Sequence, residues 1–237
     1  MNRLYILFPF FLLILIVCGC NSNEIGNAKD VNPERIYFDY RISGEDGSDS
    51  VTIILQFRFG GPNGTTLVLQ EPSQVELDGV KLIVDSSKMT GAFYETFKSV
   101  REFTGEHEIV YTDINQKKYR EPFSFHPVTL KAEIPAEIER GDLLFELDGL
   151  ERLDFVRTLM TDTSFESDGI NRLDSVRDGR IVITRKELRN LVNGLIQLDF
   201  YKENEKPVKN GTEEGGRISI SYGIKRSFLL KKGQEPE

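Results

Sequence analysis

"VTIILQFRF", residues 51–59, puts Val51, Ile53, Leu55, Phe57 and Phe59 on one face of an extended chain and Thr52, Gln56 and Arg58 on the other, with Ile54 the one apolar exception. Side chains of a strand alternate between the two sides of a sheet, so this period of two predicts a strand with one buried face. The segment before it reads the same way: Ile36, Phe38, Tyr40 and Ile42 alternate with Tyr37, Asp39 and Arg41. A glycine-rich turn, "GGPNGTT", follows. Next, "VELDGVKLIV" predicts a hairpin in which the Asp78-Gly79 turn pairs Leu77 with Val80 and keeps Val75, Leu77, Val80, Leu82 and Val84 on one face.

Further along, "GAFYETFKSVREF" (91–103) fits a helical stripe through Phe93, Phe97 and Val100, while Gly91 and its strand-rich neighbours favour a strand, the reading adopted here. "HEIVYTDINQKKYREPFSF" (107–125) supplies another hairpin, with Ile109 and Tyr111 on one arm and Tyr119, Phe123 and Phe125 on the other. Pro122, which lacks a backbone donor, implies an edge position. Short strands with turn signals every ten residues or so predict an antiparallel β-sandwich.

Pro127 and Pro135 break the pattern, and alternation resumes in Leu143, Phe145 and Leu147, in Ile196, Leu198 and Phe200, and in Ile218, Ile220, Tyr222 and Ile224. The spacing of Thr184 and Glu187 forms a capping box ahead of Leu188, Leu191 and Val192, with Asn193-Gly194 as the stop, which predicts one short helix. The expected class is therefore all-β: two tandem antiparallel β-sandwich domains, residues 34–130 and 131–231, with that helix in the second and a polar tail at 232–237. Both resemble immunoglobulin domains in strand spacing, and Tyr111 reads as a core tyrosine or as a tyrosine-corner residue.

The amino terminus has a different physics. An apolar run from Leu4 to Val17 follows Arg3 and ends in small residues, too short for the roughly 20 residues that cross a bilayer and shaped like a cleavable leader. Val17-Cys18-Gly19-Cys20 resembles the lipobox of bacterial lipoproteins, which implies cleavage after residue 19 and lipidation of Cys20, with 20–33 as lipidated cysteine and flexible tether. The resemblance covers the leader alone. Several acyl chains on one cysteine anchor a protein stably, each buried methylene contributing about 0.8 kcal/mol. The chain has two cysteines, so cleavage leaves Cys20 alone and excludes structural disulfides. Asn21 at the position after Cys20 points to the outer membrane.

The formal charge of the 237-residue chain is −8, which argues against nucleic acid as a partner. No HExxH, GxSxG, Walker or GxGxxG pattern occurs, and neither His107 nor His126 has the context of a catalytic or metal-binding residue. No cofactor is expected. Loop carboxylates give calcium candidates in Asp46, Asp49, Asp162, Glu166 and Asp168, although their spacing fits no EF-hand and solvated polar loops in an acidic protein are the preferred reading. The "DSV" triplets at Ser50 and Ser175 are similar to the O-glycosylation signal of exported Bacteroidota proteins. The polar stretch 202–216, with Lys202, Glu203, Asn204, Lys209 and Asn210, reads as a binding loop or as a tolerated insertion.

These features lead to a cell-envelope lipoprotein with a non-enzymatic binding or assembly role, its partners the membrane through its lipid and other envelope proteins or a surface glycan. Two alternatives stand beside it. One is a polysaccharide-capture lipoprotein using Tyr37, Tyr94, Tyr119 or Tyr201 as stacking platforms, which the absence of tryptophan disfavours; the other is a pilus or adhesin subunit that exchanges strands.

Overall fold

The computed structural model describes residues 25–87, 89–150, 154–164, 167–176 and 178–233. The leader, Cys20 and Glu166 lie outside the described residues. What is described is all-β, with strands β1 (Ile25–Asn27), β2 (Ile36–Glu45), β3 (Ser50–Phe59), β4 (Thr65–Val68), β5 (Gln74–Leu77), β6 (Val80–Lys81), β7 (Val84–Ser87), β8 (Gly91–Ser99), β9 (Gly105–Thr112), β10 (Lys118–Phe125), β11 (Thr129–Leu130), β12 (Glu137–Glu139), β13 (Leu143–Asp148), β14 (Phe155–Asp162), β15 (Ile170–Ser175), β16 (Arg180–Ile183), β17 (Gly194–Pro207) and β18 (Gly216–Lys231). Among the described residues no helix is long and apolar enough to cross a membrane.

The alternation that predicted β2 and β3 is realised in full at its centre. Ile36, Phe38, Tyr40 and Ile42 face inward opposite Val51, Ile53, Leu55 and Phe57, each at most 1% exposed. Phe59, at the strand end, escapes to solvent. This inner face packs on a second sheet, β10-β9-β5-β6. The Phe57 ring lies 4.7 Å from that of Tyr111, and Phe38 meets Tyr111 and Tyr119 edge-on. Tyr111 is thus a core tyrosine. Pro122 sits on the outer strand of its sheet, and segment 91–99 is a strand, as read from the sequence.

A second sandwich layer forms farther along, where the sheet β11-β13-β16 covers β14, β17 and β18, with Phe145 and Phe200 in edge contact at 5.4 Å. The two layers do not follow one another in tandem. Strands β17 and β18 form one long hairpin: the first half of β18, Gly216–Gly223, pairs in parallel with Phe38–Glu45 of β2, while its last residues pair with β12. One sheet of eleven strands therefore runs through both sandwiches, and a cut at 130/131 leaves β18 hydrogen-bonded on both sides of it. The expected purely antiparallel pairing is also corrected, since β1–β4, β2–β18 and β12–β18 are parallel.

Three local expectations change as well. The tether expected over 20–33 is folded from Ile25 onward, because β1 pairs with β4 and Ala28 is buried against the core. At the 75–84 hairpin, the turn pairs Leu77 with Val80 as expected, with Asp78 and Gly79 both at positive φ. Val80 and Val84 nevertheless face outward, because the chain leaves for a different sheet at β7. The capping box also forms, Glu187 accepting from the Thr184 amide at 2.8 Å, yet it caps a single 3-10 turn, Glu187–Asn190, rather than an α-helix. Leu188 and Leu191 are buried there and Val192 is exposed, so four residues satisfy the core without a longer helix.

Candidate functional site

The outer face of the first sheet carries a cleft of about 860 Å³, and strand register explains its chemistry. β18 sets Arg217 beside Asp39 on β2, and Asp39 lies opposite Gln56 on β3. One row across three strands thus reads Arg217, Asp39, Gln56. Arg41 and Arg58 flank it, two residues along each strand and on the same face.

Asp39 and Gln56 are 1% and 2% exposed even though they point away from the hydrophobic core. The Asp39 carboxylate accepts from Arg41 Nη2 at 2.9 Å and Arg217 Nε at 3.0 Å, and Arg58 Nε approaches to 3.7 Å. Gln56 Oε1 accepts from Arg41 at 2.5 Å and from Arg58 at 2.7 Å. Burial pushes Asp39 toward the neutral acid, and the bonds and charges of Arg217 and Arg41 outweigh it, holding the carboxyl below its ordinary range. Burial also pulls Arg58 down from the usual guanidinium range, with Asp39 opposing and the like charges of Arg41 and Arg217 adding to it.

The amide of Gln56 is itself fixed by a fork in the sheet. β3 pairs with β8 through Leu55 and with β4 from Arg58, leaving Gln56 at the branch, where its Nε2 donates to the carbonyls of Thr90 (2.9 Å) and Ala92 (3.1 Å). The branch needs glycine at 91: φ is +73° and an added Cβ would stand 2.1 Å from Thr66 Oγ1, which already accepts from the Ala92 amide. Three guanidinium groups thus surround one carboxylate, with the Arg41 and Arg217 side chains 45% and 39% exposed and able to reach a ligand. Arginine forks match planar anions such as carboxylates in a bidentate manner.

None of the residues expected from sequence forms this cleft. Asp46 is paired with Arg226. Asp162 accepts from the Val192 and Ser164 amides, the first of which chiefly draws its pKa down. Asp49 and Asp168 are exposed, and no group of three potential metal ligands exists among the described residues. Ser50 and Ser175 are exposed at strand ends, Ser50 opening β3 and Ser175 closing β15.

The proposed binding loop is largely strand. Lys202, Glu203 and Asn204 pair with Tyr222, Ser221 and Ile220, and Lys202 also binds Asp154 at 2.7 Å. The remaining turn is tied down, since the amides of Lys209 and Asn210 donate to buried Glu121 and Thr212 Oγ1 donates to the Ile36 carbonyl. Of the four candidate stacking tyrosines, Tyr94 and Tyr119 are buried, and Tyr37 and Tyr201 are half-buried. The cleft residues were visible in sequence only as the polar side of two alternating strands; Arg217 reaches them through a parallel pairing that no local pattern announces.

No family model matches the chain, and no curated protein matches it. Among solved structures it is similar to a tetra-tandem repeat in the extending region of a large adhesion protein, at 13% identity and a TM-score of 0.26, covering 81% of this chain and 49% of that one. It is also similar to DIP-gamma IG1+IG2 (9%, TM-score 0.23, 84% and 96% covered) and to the Yersinia pseudotuberculosis adhesin InvE (9%, TM-score 0.21, 81% and 59%). The chain spans about half the length of the adhesion repeat structure. These similarities assign it to no family.

Proposed function

We propose that this protein is a non-enzymatic binding module of the bacterial cell envelope, cleaved after residue 19, lipidated on Cys20, and held at the outer membrane with its continuous β-sandwich body next to the anchor. The convergence of Arg41, Arg58 and Arg217 on one concave face supports it most strongly, because that face is built to receive an anion. Replacing a buried ion cluster by packed apolar groups is often neutral or stabilising, so stability alone gives little reason for its presence.

Strand β1 starts at Ile25, five residues after Cys20, and five residues of chain span at most about 18 Å. Ile25 pairs with Thr66, which lines the cleft. Lipidation of Cys20 would therefore hold the cleft close to the bilayer rather than far out on a long stalk. Fractionation of cells expressing the full chain tests the anchor: the wild-type protein should carry labelled fatty acid and sediment with membranes, and Cys20→Ser should do neither. The same chain purified in detergent should gain thermal stability from small anions, and Arg41→Glu/Arg217→Glu should abolish that gain. A Cys20→Ser protein that remains acylated, or a gain that survives the double substitution, overturns the reading.

A further inference from the structure

We propose that the cleft recognises the carboxylate of an acidic sugar residue, an inference that rests on the binding-module reading and specifies its ligand. The charge count favours a monoanion. Within the lining three guanidinium groups stand against Asp39 and Glu95, so about one positive charge is left for a ligand, and Glu205, outside the lining at 3.5 Å from Arg217 Nη1, draws on it further. A dianionic phosphate overcompensates it.

Beyond the arginines the lining suits a polyol. Asn63 and Glu95 offer acceptors for hydroxyl groups, and Ser87 and Thr90, bonded to each other at 2.6 Å, add a hydroxyl pair to the lining. The half-buried Phe93 ring and exposed Met89 give apolar surface for the C–H face of a sugar. A volume of about 860 Å³ has room for more than one ring, within the range of small-ligand sites.

The arginines also carry an unfilled capacity. Arg58 Nε is buried without a hydrogen-bond partner, and the bonds that Arg41 makes to Asp39 and Gln56 both leave from Nη2. Buried donors of this kind are rare, and a ligand oxygen that lets the three side chains regroup around two carboxylates instead of one supplies the missing acceptor. In this arrangement Asp39 and Gln56 are positioning residues and Arg41 and Arg217 are the contacts.

Isothermal titration of the full chain in detergent with a galacturonosyl-galactose disaccharide, which carries one carboxylate, tests the assignment, with galactobiose, inorganic phosphate and a capped glycyl-glutamyl-glycine peptide as comparisons. The acidic disaccharide alone should bind, at least tenfold more weakly in Arg41→Gln and in Arg217→Gln, since each loses a charge-assisted bond. Affinity should also fall as sodium chloride rises from 50 to 500 mM. A melting curve shows that each variant is folded, and Arg226→Gln, away from the cleft, should bind as the wild type does.

Tighter binding of phosphate or of the peptide overturns the sugar assignment while leaving an anion-binding module in place. Equal binding of galactobiose and the acidic disaccharide also overturns it, because the carboxylate would then contribute nothing. Failure of all four probes, together with no thermal gain from any anion, overturns the ligand and the binding-module reading together.

Discussion

Arg217 Nε and Asp39 Oδ1 are joined at 3.0 Å although 178 residues separate them, and the bond crosses the parallel seam between β18 and β2. Burial alone would favour the neutral acid at Asp39; Arg217 and Arg41 reverse that preference. Its folded pKa thus lies below its unfolded value, so the folded state takes up protons less readily in acid. The contribution to stability is complete above the unfolded value, near 4, and drains away as pH falls through the lower folded value. Urea midpoints measured from pH 7 to pH 2 should therefore fall more steeply below pH 4 for the wild type than for Asp39→Asn. At pH 7 the substitution should cost about 1–3 kcal/mol, because it removes the charged acceptor of Arg41 and Arg217, whose partly exposed guanidinium groups water still screens. Glu34, Asp162 and Glu187, whose pKa values are also lowered, supply acid sensitivity that remains in the variant.

The fork at Gln56 depends on one backbone conformation. Gly91→Ala forces a side chain into Thr66 at a position whose φ of +73° already disfavours it. The Thr90 and Ala92 carbonyls must then move away from Gln56, and its hold on Arg41 and Arg58 loosens with them. Thermal unfolding should show a loss of more than about 1 kcal/mol. Anion binding should weaken too, although residue 91 carries no charged group.

Phe57 tests the inner face of the same strand. Its ring meets those of Phe38, Tyr40, Tyr94 and Tyr111, and it is wholly buried. Truncation to alanine removes these contacts and leaves a cavity, at a cost of about 3–5 kcal/mol. Denaturant midpoints should drop accordingly. The exposed Phe59, two residues on, should tolerate alanine within about 0.5 kcal/mol.

Strand existence was legible wherever burial alternated, because a two-sided sheet imposes period two on the chain and needs no knowledge of the partner strand. Val51 to Phe57 and Ile36 to Ile42 carry that signal directly. Strand order was not. The parallel union of β18 with β2 joins distant segments, and each segment has the same pattern whichever neighbour it takes. The cleft was hidden for the same reason: Asp39, Arg41, Gln56 and Arg58 look like an ordinary solvated face until Arg217, Thr90 and Gly91 are brought to line the same cleft. The single 3-10 turn shows the reverse failure, since Thr184 and Glu187 satisfy the capping rule locally while the sheet hydrogen bonds begin again at Gly194 and leave no length for a helix.

Residues 208–215 give the last test, because their polarity suggests a loose excursion and their bonds say otherwise. Glu121 is 2% exposed, and one of its oxygens accepts from the amides of Lys209 at 2.6 Å and Asn210 at 3.4 Å. Asn210 Nδ2 donates in turn to the Arg120 carbonyl, and Glu214 N to that of Glu34. The turn is thereby docked on β10 and on the start of β2. Hydrogen exchange should accordingly show protected amides at Lys209 and Asn210 in the wild type. Glu121→Ala should expose both, at a cost of about 1–3 kcal/mol for the acceptor removed. Glu121→Gln keeps an acceptor oxygen in place and should retain most of the protection, which separates the loss of this bond from a general loosening of the sheet. Unprotected amides at both positions in the wild-type chain would return the segment to a free loop.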